Sequence, residues 1–245
     1  MDLQIDKLHT IESTNDYLKS LVKEKGLEKD KVVWAIDQTK GRGQMGTSWS
    51  SESGKNLTFS VFRKVQTLSI NEQFYALMAA SLAVKDVLEK LLIKNVRVKW
   101  PNDILSDKKK ICGILIESVI KKGRLDAMII GVGLNVNQTQ WNEIQSVTSI
   151  KNETGIHFEL EEILKMLLQQ FVHYVDLLLK KEFNLIKQDY EKFLFRNGKP
   201  STFQHKDGSR FTGIIQGVTD IGKLIVLEED ERINEYELKE IQLLF

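Results

Sequence analysis

The stretch that decides the fold reads Lys99-Trp100-Pro101-Asn102-Asp103 and continues, seven residues beyond the aspartate, with Lys110 and then Cys112-Gly113-Ile114-Leu115-Ile116-Glu117. Val96, Val98 and Trp100 alternate with Arg97 and Lys99, the period of a half-exposed strand, and the strand stops at Pro101. Through Ile104-Leu105 and the turn Ser106-Asp-Lys-Lys-Lys110 the chain enters a second apolar strand over 111–120. Lys121-Lys122-Gly123 then turns it into a third over 125–136. The pattern is a hairpin buried on one face, with a lysine set between two polar turns in front of a glycine. Charges in such a place serve something other than stability.

Upstream, Ser13-Thr14-Asn15 is a helix start, followed by Tyr17, Leu18, Leu21 and Val22 at helical spacing and closed by Gly26. Val32, Val33, Trp34, Ala35 and Ile36 form the compact apolar run of a strand over 31–38. Leu57, Phe59 and Val61 alternate with Thr58 and Ser60 in another. From 71 to about 93, Phe74, Leu77, Met78, Leu82, Val84, Val87, Leu88 and Leu91 predict a long amphipathic helix. A further helical stretch runs from 160 to about 195 with a break near Lys181-Glu182. Beyond Gly198-Lys199-Pro200 the texture changes to short strands separated by Asp207-Gly208 and Asp220-Ile221-Gly222, which predicts a small barrel and a domain boundary at about 197. The fold class is therefore α/β (α+β): a mixed, largely antiparallel sheet with helices on one side, in residues 1–197, and a small β-barrel in 198–245.

Residues 39–55 carry four glycines and no apolar periodicity, too long a connection for an ordinary turn. Gly41-Arg42-Gly43-Gln44-Met45-Gly46 fits G-x-G-x-x-G, but no helix opens at the third glycine and no acid follows about 20 residues beyond Gly41, so a dinucleotide fingerprint fails. Read as a P-loop it lacks its lysine, Thr47 standing in that place. What remains is an anion clamp, for phosphate or carboxylate, in which glycines allow close backbone approach and Arg42 adds a fixed charge. Trp49, a large apolar ring in a polar loop, needs something to cover.

The bulk composition narrows the function. The 245 residues, 42% of them apolar, suffice for a good-sized domain and an appendage. Thirty-five basic against 34 acidic residues give a net charge of +1, which argues against a global attraction to DNA, RNA or an acidic membrane. The four histidines lack zinc-site spacing, and a single cysteine excludes an internal disulfide. Cys112, between Ile111 and Gly113, reads as a packing residue. The N-terminus has no signal-peptide pattern and no apolar run spans a bilayer, so the expected location is cytoplasmic.

Four motifs together, Gly41-Arg-Gly-Gln-Met-Gly with Trp49, Lys99-Trp-Pro-Asn-Asp103, Lys110-Ile-Cys-Gly-Ile-Leu115 and Gly131-Val-Gly-Leu-Asn-Val136, resemble the motif set of biotin protein ligases in order and spacing over essentially the whole chain. The resemblance implies a sheet related to class II aminoacyl-tRNA synthetases, an SH3-like C-terminal barrel, and activation of biotin by Mg-ATP to biotinyl-5′-AMP. Transfer follows to a lysine of the biotin carboxyl carrier domain of a carboxylase.

It further implies that Lys110 touches both the biotin carboxyl group and the adenylate phosphate, with Arg42 and Asp103 completing the catalytic set, while Lys108 and Lys109 are turn residues. Ser13, Thr14, Asn15, Gln38, Gly41, Arg42, Lys110 and Gly113 would meet biotin. Arg42, Gly43, Gln44, Trp49, Asn102, Lys110 and Asn135 would meet ATP or the adenylate, with Asn135 on the strand from Gly131 facing adenine or ribose. Asp103 would reach Mg²⁺. Trp100 reads either as core or as a border of the pocket.

Residues 41–54 would order over the adenylate. Many members of the family it resembles have further basic residues in this loop where this chain has Gln44 and Thr47, which would leave Arg42 more of the anion binding. The chain begins at the catalytic module, so no N-terminal DNA-binding domain and no DNA partner are expected. Strands beside the site could serve a homodimer or carrier docking. The rival readings are a lipoate-protein ligase, whose substrate lacks the ureido ring, and a non-catalytic carrier-binding module.

Overall fold

The computed structural model describes residues 4–141 and 146–245. Gln4–Ile11 form β1, an edge strand that the sequence pattern does not announce. Ile5, Leu8 and Ile11 recur every third residue, and the strand is nowhere fully buried. It pairs in parallel with β2 (Lys31–Gln38), Gln4 opposite Lys31 and Ile11 opposite Gln38. Between them lies α1 (Thr14–Lys25), capped by the Ser13 Oγ, which accepts the Asp16 N–H at 3.3 Å, and ended by a left-handed Gly26.

β2 runs antiparallel to β3 (Leu57–Lys64), and the sheet continues in chain order through α2 (Gln73–Lys90), β4 (Val96–Lys99), β5 (Asp103–Ser106), β6 (Lys109–Lys121) and β7 (Arg124–Leu134). The seven-stranded order is β1-β2-β3-β7-β6-β5-β4, antiparallel except for the first pair. Ile104 and Leu105, expected as a connection, belong to a strand of their own. Four residues flanked by a turn are too few to display a period of two. The expected single hairpin is thus two, and Asp103 lies between Lys99 on one side and Gly113 on the other.

Helices cover both faces of the sheet, not one. After α3 (Ile150–Thr154), the helices α4 (Leu160–Leu179) and α5 (Phe183–Lys192) pack with α2 against the face that carries Trp34, Phe59, Val61, Met128 and Ile130. Phe59 meets Phe171 of α4 edge to face at 6.1 Å. On the other face, Leu18 and Leu21 of α1 cover Val33, Phe62, Ala127 and Ile129. The physical cause is in β2, where Val32-Val33-Trp34-Ala35 is apolar without alternation: adjacent side chains point to opposite faces, so both must be buried.

The C-terminal strands β8 (Pro200–His205), β9 (Arg210–Val218), β10 (Leu224–Glu228), β11 (Ile233–Tyr236) and β12 (Ile241–Leu244) form a second antiparallel sheet, ordered β11-β10-β9-β8-β12, as an SH3-like barrel requires. Its buried Phe203, Ile215, Val218 and Val226 are continuous with the main core. Several hydrogen bonds fasten it there: Trp100 Nε1 donates to the Gly222 carbonyl and Tyr75 Oη to Asp220, each at 2.8 Å, and the Val218 N–H donates to Glu191 at 3.0 Å. Among the described residues no helix is long and apolar enough to cross a membrane.

Candidate active site

A cavity of about 280 Å³ opens where the start of α1, the 41–49 loop, the β4–β5 turn and the middle of β6 and β7 converge. One end is polar and built by α1. Capping fixes the first turn of this helix, and Gln38, at the end of β2, then accepts from both the Thr14 N–H (2.8 Å) and the Thr14 hydroxyl (3.0 Å). The Ser60 hydroxyl lies 2.6 Å from Thr14 Oγ1 and 2.5 Å from Asn15 Oδ1. Asn15 in turn donates to Glu117 at 2.8 Å. Ser13, Thr14 and Asn15 are each 3% exposed, so these are positioned groups and not solvated caps. Ser60 is an addition to the set read from the sequence: the alternation of β3 sets it opposite Leu57, Phe59 and Val61, on the face that α1 covers.

The floor is glycine. A Cβ on Gly133 would fall 2.4 Å from the Trp49 ring, one on Gly131 2.4 Å from Asn15 Oδ1, and one on Gly113 3.2 Å from both Lys110 and Trp49. The indole therefore lies flat against β6 and β7, over the strand positions where a ligand was expected to approach. Its Nε1 is buried without a hydrogen-bond partner among the described residues. An orphaned donor of this kind costs about 1–3 kcal/mol until an acceptor reaches it.

At the other end Lys110 Nζ pairs with Asp103 Oδ1 at 2.6 Å, its side chain one-third exposed. Asn102 donates to the Ile114 carbonyl at 2.8 Å and accepts the Ile114 N–H through its own carbonyl, which pins the turn that carries Asp103 to β6. Lys108 and Lys109 do not line this cavity.

Arg42 is less free than the sequence suggests. Its guanidinium donates to Asp16 at 2.7 Å and lies 3.8 Å from Glu117, which also binds Lys19 at 2.5 Å. The loop glycines serve the loop itself: Gly41 accommodates the Trp49 carbonyl, and the Gly43 N–H donates to the Thr47 carbonyl at 2.7 Å. Gly43, Gln44 and Trp49 line the cavity, whereas Gly41 and Asn135 do not. Asn135 sits one residue past the end of β7, 2% exposed, donating to the Thr148 carbonyl at 3.0 Å, where it braces the segment before α3. Trp100 also stands outside this cavity and borders a second one against the barrel.

Cys112 is fully buried and burial pushes its thiol pKa up, so it is a protonated packing residue. Among the described residues no cluster of three metal-ligating side chains occurs, and Asp103 is the one carboxylate lining the cavity. That donor set fits a Mg²⁺ carried mainly by phosphate oxygens with a single protein ligand, and does not fit a dedicated metal cage.

Residues 8–135 match the Biotin/lipoate A/B protein ligase family. Over 238 residues the chain is 29% identical to the Bifunctional ligase/repressor BirA of Escherichia coli (strain K12), covering 96% of this chain and 73% of that one. It is 28% identical over 208 residues to the Biotin–[acetyl-CoA-carboxylase] ligase of Paracoccus denitrificans, covering 82% and 85% respectively. Among solved structures, the biotin protein ligase from Aquifex aeolicus in complex with biotin and ATP superposes with a TM-score of 0.81 at 26% identity, covering 98% of both chains.

Proposed function

Since the chain belongs to the Biotin/lipoate A/B protein ligase family, we propose that it is a biotin–protein ligase working through a biotinyl-adenylate. The observation that carries this reading is the pairing, within one cavity, of a buried hydrogen-bonding cradle (Thr14, Asn15, Gln38) with the Lys110–Asp103 pair at the opposite end. A ureido ring has both donors and an acceptor to match such a cradle, while a dithiolane has neither. The solved relative holding biotin and ATP supports the same assignment.

In this reading a carboxylate oxygen of biotin attacks the α-phosphorus of ATP, the bond to the β-phosphate bridge breaks, and pyrophosphate leaves. The neutral amine of the carrier lysine then attacks the acyl carbonyl, the bond from the acyl carbon to the phosphate oxygen breaks, AMP departs, and the proton lost by the amine passes to solvent. Both steps crowd anionic oxygens, and Lys110 stabilises them with a charge that needs no proton transfer. Asp103 holds the ammonium in place and would be the protein ligand of Mg²⁺, which would supply neutralisation of the phosphate charge. Trp49, Gly43 and Gln44 close over the nucleotide side, and Ser13 and Gly113 shape the biotin side. Residues 1–197 supply the biotin- and ATP-binding unit and 198–245 the barrel, whose Leu238 and Lys239 complete the lining of the cavity.

Incubation with labelled biotin, ATP, Mg²⁺ and a biotin carboxyl carrier domain tests the proposal. Label is expected on the carrier and absent from a carrier whose acceptor lysine is replaced by arginine. An unlabelled wild-type carrier, with adenylate made, would restrict the activity to the first step.

A further inference from the structure

The cavity's cations are unequal. Three line it, Arg42, Lys110 and Lys239, against the single carboxylate of Asp103. Lys110 is neutralised by Asp103 at 2.6 Å and Arg42 by Asp16 at 2.7 Å. Lys239 is not: its Nζ donates to the Met45 carbonyl at 3.2 Å, and no carboxylate among the described residues pairs with it.

Lys239 is also placed, not merely nearby. It sits in the turn from β11 to β12, which is closed by the Glu240 N–H on the Glu237 carbonyl (3.1 Å) and by the Glu240 carboxylate accepting the Glu237 N–H (2.7 Å). Glu237 is further held by Lys223 at 3.3 Å. The two acids flanking Lys239 are thus drawn into the turn. Its backbone is left-handed, φ +67°, and the residue it touches, Met45, is left-handed too, φ +53°. The contact joins the barrel to the glycine loop at the Met45 carbonyl, between Gln44 and Thr47, two loop positions that carry no charge.

We propose that Lys239 is a phosphate-binding residue for the nucleotide, supplying from the barrel a cationic charge that Gln44 and Thr47 do not and that Arg42, paired to Asp16, does not leave free; the assignment rests on the adenylate-forming reading above. An ammonium paired to a carbonyl gives up little when it turns to a phosphate oxygen, whereas Arg42 must first leave Asp16.

The experiment is calorimetric titration of Mg-ATP, and separately of biotin, into the wild type and into Lys239→Ala, Lys239→Arg, Lys206→Ala (a barrel lysine that does not line this cavity) and the double variant Lys239→Ala/Gln44→Arg. Lys239→Ala is expected to weaken ATP binding about tenfold, as the loss of one charge-assisted contact does, with biotin affinity unchanged. Lys239→Arg and Lys206→Ala should bind as wild type, and Gln44→Arg should restore what Lys239→Ala loses. Unchanged ATP affinity in Lys239→Ala, or an equal loss for biotin, overturns the proposal. A wild type that binds ATP through Lys239 yet releases no pyrophosphate with biotin would instead refute the biotin-activating reading and leave this assignment standing.

Discussion

Lys110 stands out from its neighbours by position and not by chemistry. Lys108, Lys109 and Lys110 are consecutive, yet the short β5 strand places Asp103 within 2.6 Å of the third alone. Lys110→Ala should lower pyrophosphate release at least about 10²-fold, the usual cost of losing a charge that stabilises a transition state, while Lys108→Ala leaves the rate unchanged. Steady-state assay of both variants checks this, and an active Lys110→Ala would move the site elsewhere. The distinction was legible only through the family resemblance, whose register selects the lysine seven residues after Asp103 and three before Gly113; the residues alone read as a solvated lysine run. The partners of Arg42 were not legible at all. Asp16 and Glu117 come from a helix and a strand far apart in the chain, and nothing local marks either as the counter-charge of a loop arginine.

The elements that define the cavity depend on glycines that let two surfaces touch. Gly133 on β7 is the sharpest case, since a methyl group there would press on the Trp49 ring at 2.4 Å. Gly133→Ala should displace the indole, shift the emission of Trp49 (isolated by comparison with Trp49→Phe), and reduce activity by about tenfold or more, because small displacements of positioning groups are costly. Unchanged emission and rate would show that the ring does not rest on β7 in solution. At this scale the sequence was informative wherever periodicity was long or a cap was chemical: α1 between Ser13 and Gly26, α2, and the break between α4 and α5 near Lys181-Glu182. It failed on β1 and β5, an exposed edge strand and a four-residue strand, because partners elsewhere in the sheet define both and local pattern does not. It also missed α1's placement, although the unbroken apolar run of β2 required a cover on the second face.

For the whole molecule, one charge cluster far from the cavity links stability to pH. Asp126 on β7 accepts from Gln66 at 2.6 Å and pairs with Lys64 and Lys121, which hold its pKa at about 2. Folding lowers this pKa, so the stabilisation is complete above about pH 4 and is lost as pH falls towards 2. Asp126→Asn should therefore cost about 1–2 kcal/mol at pH 7, with the difference from wild type shrinking as pH falls through 4 to 2 in denaturant titrations. A pH-independent difference would mean that Asp126 contributes by packing alone. The barrel also bears on the whole molecule: its β11–β12 turn brings Leu238 and Lys239 to the cavity, so the two sheets build one site, which spacing along the chain could not reveal.

If the cradle selects biotin and the charged end activates it, pyrophosphate release from Mg-ATP must depend on which acid is supplied, biotin or lipoate. Release with biotin and none with lipoate is the result predicted here; release with lipoate alone, or with neither, would contradict it.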